Sequence, residues 1–192
     1  MVGGLLVNND LFLVTYHPVT LDLSNSKANI DELLRALDGF SDVNILFTGV
    51  NSDASNSYIN KKITEYVESD PKRLKYIINL GQSKYFSAMK HSEVIIGNSS
   101  SGIIEAPSFK VPTVNIGIRQ NGRIKANSII DCAENKTAIV EAINSAISKD
   151  MKETCSNVIS PYAGPGVSEK IVDTIVNKNL ENIKIKRFYD LK

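Results

Sequence analysis

Short apolar runs alternate with helix-period segments along almost the whole chain. Residues 11–16 (LFLVTY) are apolar, β-branched or aromatic throughout, the pattern of a strand buried on both faces. Residues 27–37 place Ile30, Leu33, Leu34 and Leu37 on one helical face, with Ser26 as the expected N-cap and Gly39 as the stop. A second strand is predicted over 43–48. Ile59, Ile63 and Val67, spaced by four, predict a helix over 55–68 that ends at Asp70–Pro71. A third strand over 74–79, a short helix over 83–89 and a fourth strand over 93–97 follow. A short helix is predicted over 101–108, halted by turn chemistry and Pro112, and strands over 113–116 and 128–132. Ile139, Val140, Ile143 and Ile147 mark a helix over 137–147, and a last helix is predicted over 167–176. The remainder is mostly polar and basic and receives no assignment.

Strands that alternate with helices predict an α/β fold, a parallel sheet covered on both faces. With right-handed crossovers this is a doubly wound, Rossmann-like domain, expected over residues 1–178 and followed by a polar tail over 179–192. Ligands in such folds sit outside the carboxyl ends of the strands, so the residues just after each strand carry the functional information.

The 192 residues suffice for one domain with a substantial core. A hydrophobic share of 42%, a charged share of 22% and a net charge of +1 give no reason to expect a nucleic-acid or membrane partner. No apolar run approaches the roughly 20 residues that span a bilayer. Cys132 and Cys155, the two cysteines, make neither a disulfide framework nor a zinc site, and a reducing cytoplasm is expected. The start, Met1-Val2-Gly3-Gly4, reads equally as a junction to a longer chain and as a natural beginning.

After the first strand comes His17-Pro18-Val19-Thr20. A lone histidine is most often satisfied by loop backbone. At a strand's carboxyl end, with Pro18 fixing the turn, an imidazole can also act as acid, base or phosphate ligand. The loop TGVNSD at 48–53, which contains Asn51, is by itself a polar turn. The fourth strand runs into Gly97-Asn98-Ser99-Ser100-Ser101-Gly102, the strongest local signal. A Gly- and Ser-rich turn opening a helix gathers backbone N–H groups and hydroxyls at one point, as a diphosphate site requires. It is neither a G-x-G-x-x-G fingerprint nor a P-loop, and a plainly capped helix start is the alternative. Glu105 is expected in the first turns of that helix, either accepting from ribose hydroxyls or simply favoured at a helix start. Arg119 and Arg123, in the Gly-flanked loop 117–123, form a phosphate or carboxylate clamp or a solvated basic loop. The segment PYAGPGVS at 161–168 is turn-rich and precedes the last helix.

Taken together, HPVT at 17–20, GNSSSGIIEAP at 97–107 and GIRQNGR at 117–123 resemble the UDP-N-acetylglucosamine 2-epimerase family, hydrolysing type, over residues 11–176. The resemblance implies the C-terminal domain of a GT-B fold, two Rossmann-like domains facing one cleft. It implies that His17 is catalytic or contacts phosphate, and that Ser99 and Ser100 contact the diphosphate within the turn formed by Ser101 and Gly102. It further implies that Glu105 binds ribose, that Arg119 lies near the nucleotide, and that Asn51 occupies the nucleotide-facing loop, where Val50 replaces the usual proline. Ala163 and Pro165 depart from the family's Pro-Tyr-Gly-Asp-Gly loop. The implied reaction eliminates UDP and hydrates a glycal to a free 2-epimerised sugar, with a UDP-sugar as substrate and no cofactor. The implied partners are an N-terminal domain of the same enzyme and further copies in a homo-oligomer. Two alternatives stand beside it: a donor-binding domain of a GT-B glycosyltransferase, and a non-catalytic UDP-sugar binding module.

Overall fold

The computed structural model describes residues 10–18, 23–49, 56–179 and 181. The chain divides into two compact units, Met1–Tyr162 and Ala163–Lys192. In the first, six strands form one sheet: β1 (Leu11–Thr15), β2 (Asn44–Thr48), β3 (Leu74–Ile77), β4 (Val94–Gly97), β5 (Thr113–Ile116) and β6 (Ile129–Cys132). Every pairing is parallel, and the spatial order is β3-β2-β1-β4-β5-β6. The order reverses between β1 and β4, the place where doubly wound sheets open a crevice.

Side chains alternate across each strand and so build two cores. Phe12, Val14, Ile45, Phe47, Val94, Ile96 and Val114 face α1 (Leu23–Leu37), α2 (Asn56–Ser69) and α5 (Lys136–Ala146), meeting Ile30, Leu33, Ile63, Ile139 and Ile143. Leu13, Leu46 and Ile95 face the other way, towards Ala88 and Met89 of α3 (Gly81–Lys90). Each buried Val, Leu, Ile, Phe or Met side chain among them contributes about 1.5–3 kcal/mol.

The close approach of β1 and β4 sets a local demand. Thr15 pairs with Gly97, whose φ is +134°, and a Cβ there would lie 2.0 Å from the Thr15 carbonyl oxygen. Only glycine fits that position.

Several boundaries differ from expectation. α1 begins at Leu23, so Ser26 lies inside the helix and does not cap it; serine is mildly unfavourable in a helix, not forbidding. The helix expected over 101–108 is two elements: α4 (Ser100–Ile104) and a 3₁₀ turn (Ala106–Phe109). Pro107 has no N–H to continue the α ladder and disfavours helical backbone at Ala106. β3 ends at Ile77, before the predicted limit. A further helix, α6 (Lys149–Asn157), was not anticipated; Ser148 caps it by accepting from the Met151 N–H at 3.2 Å.

The second unit contains α7 (Val167–Asn177), entered through Gly166 at φ +68°. Its Val167, Ile171, Val172, Ile175 and Val176 are exposed. No helix among the described residues is long and apolar enough to cross a membrane.

Candidate functional site at the switch point

Asn98 follows β4 directly and is fully buried. Its Oδ1 accepts the His17 backbone N–H at 2.7 Å, and its Nδ2 donates to the His17 carbonyl at 2.8 Å. One carboxamide thus satisfies both polar groups of the residue two places after β1. The Asn98 carbonyl in turn accepts from Arg119 Nη1 at 2.9 Å and from Gln120 Nε2 at 2.7 Å. The loops after β1, β4 and β5 therefore meet at Asn98.

Ser99 leaves β4 in extended conformation (φ −74°, ψ 144°) and caps α4. Its Oγ accepts from the Ser101 N–H at 3.4 Å and from Ser101 Oγ at 3.1 Å. Ser101 Oγ also pairs with the Tyr85 hydroxyl at 2.6 Å. α4 has five residues, little more than one turn, so its N–H groups and hydroxyls count for more at this end than a summed helix dipole. Gly102 lets α4 lie against β5: its carbonyl accepts from Thr113 Oγ1 at 2.9 Å, and a Cβ there would lie 2.7 Å from Thr113 Cγ2.

A cleft of about 310 Å³ opens above these strand ends. Thr15, His17, Thr48, Tyr85, Ser99 and Ser101 line it, joined by the backbone bend at 78–82. Thr15 and Thr48 are joined through their hydroxyls at 2.6 Å, which ties the ends of β1 and β2 together. Tyr16, buried beside His17, donates to Glu134 Oε1 at 3.0 Å. Gly117, at φ +71°, lets the Arg119 loop pass that carboxylate, since a Cβ there would lie 2.5 Å from Glu134 Cδ.

The predicted residues thus fall into three groups. His17, Ser99 and Ser101 share the cleft. Arg119, which is exposed, is joined to it through Asn98. Ser100, Gly102 and Glu105 belong to the same α4 segment and do not line this cleft. Glu105 is the C-cap of α4, little more than one turn from its start, because the α-helix ends at Ile104, four residues earlier than expected. Burial raises the Glu105 carboxyl above the usual carboxylate range, and its Oε2 is buried without a hydrogen-bond partner. Asn51 lies outside the described residues. No group of three or more His, Cys, Asp or Glu that could hold a metal occurs among the described residues.

Sequence reasoning missed Asn98, Gln120 and Tyr85. Asn98 had a local signal: a carboxamide directly after a central strand can donate and accept at once. Tyr85 sat in a short predicted helix and had none.

A parallel 3-2-1-4-5-6 sheet with a cleft at its reversal defines a Rossmann-like α/β domain, here of the kind found in GT-B proteins. The family model "UDP-N-acetylglucosamine 2-epimerase" matches residues 4–176, and the chain belongs to that family. It is 39% identical over 186 residues to a Campylobacter jejuni protein described as GDP/UDP-N,N'-diacetylbacillosamine 2-epimerase (hydrolyzing), covering 96% of this chain and 48% of the relative. It is 37% identical over 189 residues to the Escherichia coli polysialic acid biosynthesis protein P7, covering 94% of this chain and 46% of the relative. The chain thus spans about half the length of these relatives. Among solved structures, the Neisseria meningitidis UDP-GlcNAc 2-epimerase bound to UDP-GlcNAc superposes with a TM-score of 0.70 at 16% identity, over 91% of this chain and 46% of that one. The S. aureus MnaA-UDP co-structure gives 0.69 at 19% identity, over 87% of this chain and 44% of that one.

Proposed function

We propose that this chain is the nucleotide-binding half of a hydrolysing UDP-sugar 2-epimerase, converting UDP-N-acetylglucosamine or a related UDP-sugar to UDP and a free 2-epimerised sugar such as N-acetylmannosamine. The observation that carries this reading is the meeting of the His17, Ser99 and Arg119 loops on Asn98 at the sheet's reversal. The Campylobacter jejuni relative, described as a hydrolyzing 2-epimerase, supports the reaction type.

In the first step a base removes the proton on C2 while the C1–O bond breaks towards UDP, leaving a C1=C2 glycal. Water then adds, its hydroxyl to C1 and a proton to C2 from the opposite face. The scheme as drawn balances by proton transfer and water addition alone, and we assign it no cofactor. Backbone and hydroxyl donors of Ser99 and Ser100, in the turn completed by Ser101 and Gly102, hold the diphosphate. Arg119 stabilises charge on the leaving oxygen. His17, held by Asn98, is the acid–base group at the cleft. Glu105 accepts from the ribose hydroxyls, and Asn51 is assigned a nucleotide contact on its place in the sequence. Further acid–base groups come from a second domain, so the isolated chain binds UDP weakly and turns over little. The whole enzyme is a cytoplasmic homo-oligomer in this reading.

Calorimetric titration of the 192-residue chain with UDP, GDP and free N-acetylglucosamine tests the binding half of the proposal. UDP is expected to bind and the free sugar not to. For the whole enzyme, NMR of the products should show UDP and a free 2-epimerised sugar; a new glycoside would identify a transferase instead.

A further inference from the structure

The cleft contains a chain of three hydroxyls whose proton order can be worked out. Tyr85 projects from α3, with its ring against Phe86 (centroids 6.3 Å apart) and the second core. Its hydroxyl lies 2.6 Å from Ser101 Oγ, and Ser101 Oγ donates to Ser99 Oγ at 3.1 Å. A hydroxyl has one proton and two lone pairs. The Ser101 proton is used on Ser99, so Tyr85 must be the donor in the 2.6 Å contact. Ser99 Oγ accepts twice, from Ser101 Oγ and from the Ser101 N–H. Both its lone pairs are then occupied. Its own proton finds no acceptor among the described residues, and Ser99 lines the cleft together with Ser101, Tyr85 and His17.

We propose that Tyr85 is a positioning residue for the diphosphate: through Ser101 it fixes Ser99 Oγ as a donor-only group that selects an anionic oxygen in the cleft. The proposal rests on the UDP reading above and adds a residue that this reading does not require. Each donated bond polarises the next hydroxyl, so the order Tyr85 to Ser101 to Ser99 strengthens the terminal donor. A ligand oxygen with negative charge gains from that; an uncharged nucleoside, which lacks the phosphate, does not. The ring of Tyr85 is packed independently of its oxygen, so phenylalanine should keep the fold while removing the head of the chain.

The test uses the full chain with UDP and uridine as probes, in wild type, Tyr85→Phe, Ser101→Ala and the double variant. Tyr85→Phe is expected to weaken UDP about three- to tenfold while leaving uridine affinity unchanged. The double variant should bind UDP no more weakly than Ser101→Ala alone, because both changes interrupt one chain. Wild-type UDP affinity in Tyr85→Phe, or additive losses in the double variant, overturns the relay while leaving the UDP reading in place. Equal losses for UDP and uridine would make Tyr85 a packing residue, which also overturns it. A wild-type chain that binds UDP no better than uridine removes the diphosphate site itself, and the relay with it.

Discussion

Asn98 grips His17 by both polar groups of its backbone, at 2.7 and 2.8 Å, across 81 positions of sequence. The side chain of a buried residue on β4's exit thereby sets the path of the chain leaving β1. Asn98→Ala would strand a buried donor and a buried acceptor on His17, at a cost of about 2–4 kcal/mol. Urea unfolding checks this, and a variant as stable as the parent would show that the clamp contributes nothing. Asn98→Asp keeps an acceptor for the His17 N–H but faces the His17 carbonyl with another oxygen, so it should fail to restore stability.

The two serines at the head of α4 give a second expectation. Ser99→Ala combined with Ser100→Ala should weaken UDP binding by roughly 1.5–3 kcal/mol, the scale of a hydrogen bond to a charged group. Calorimetry on a variant whose melting confirms that it is folded reads this directly. Undiminished affinity would remove these hydroxyls from the diphosphate site.

Packing at Gly102 is separable from ligand binding. Gly102→Ala brings a methyl to 2.7 Å from Thr113 Cγ2 and should cost about 1–3 kcal/mol through overpacking. Thr113→Ser in the same chain deletes that methyl and keeps the hydroxyl that donates to the Gly102 carbonyl, so it should recover part of the loss. If the second change makes matters worse, the contact is not the source of the strain.

Glu105 predicts a pH dependence with a definite sign. Its folded carboxyl titrates above the usual range because burial disfavours the charge. Between the unfolded and folded pKa the native chain holds a proton that the unfolded chain has lost. Stability therefore falls as pH rises through that window. Glu105→Gln should be the more stable protein at neutral pH and should respond less to pH across the window, while binding nucleosides more weakly. Urea melts between about pH 4 and pH 7 would reveal it; parallel curves for the two proteins would contradict it.

The sheet was legible chiefly through its central strands: β1 and β4 are buried on both faces and read as apolar runs, Phe12–Val14 and Val94–Ile96. α6 was not, because it buries only Cys155 and so shows no apolar face; its one signal was the capping Ser148. α1 was read as starting late because residues 23–29 hold a single leucine, Leu23, and one alanine among polar residues. At the site, the strand-end rule located His17 and Ser99, which share the cleft. It could not locate Tyr85 or the role of Asn98. Their partners, Ser101 and His17, lie 16 and 81 positions away, and such pairings exist only once the strands are in order.

The reversal of strand order also has a consequence for assembly in time. β1 and β4 are neighbours in space, yet β2 and β3 with α1 to α3 intervene between them in the chain. A ribosome must deliver four strands before His17 meets Asn98, so ligand recognition comes late and reports on a completed sheet centre. Occupancy of the crevice should accordingly slow amide exchange in both central strands at once, since neither half of the contact survives the opening of the other.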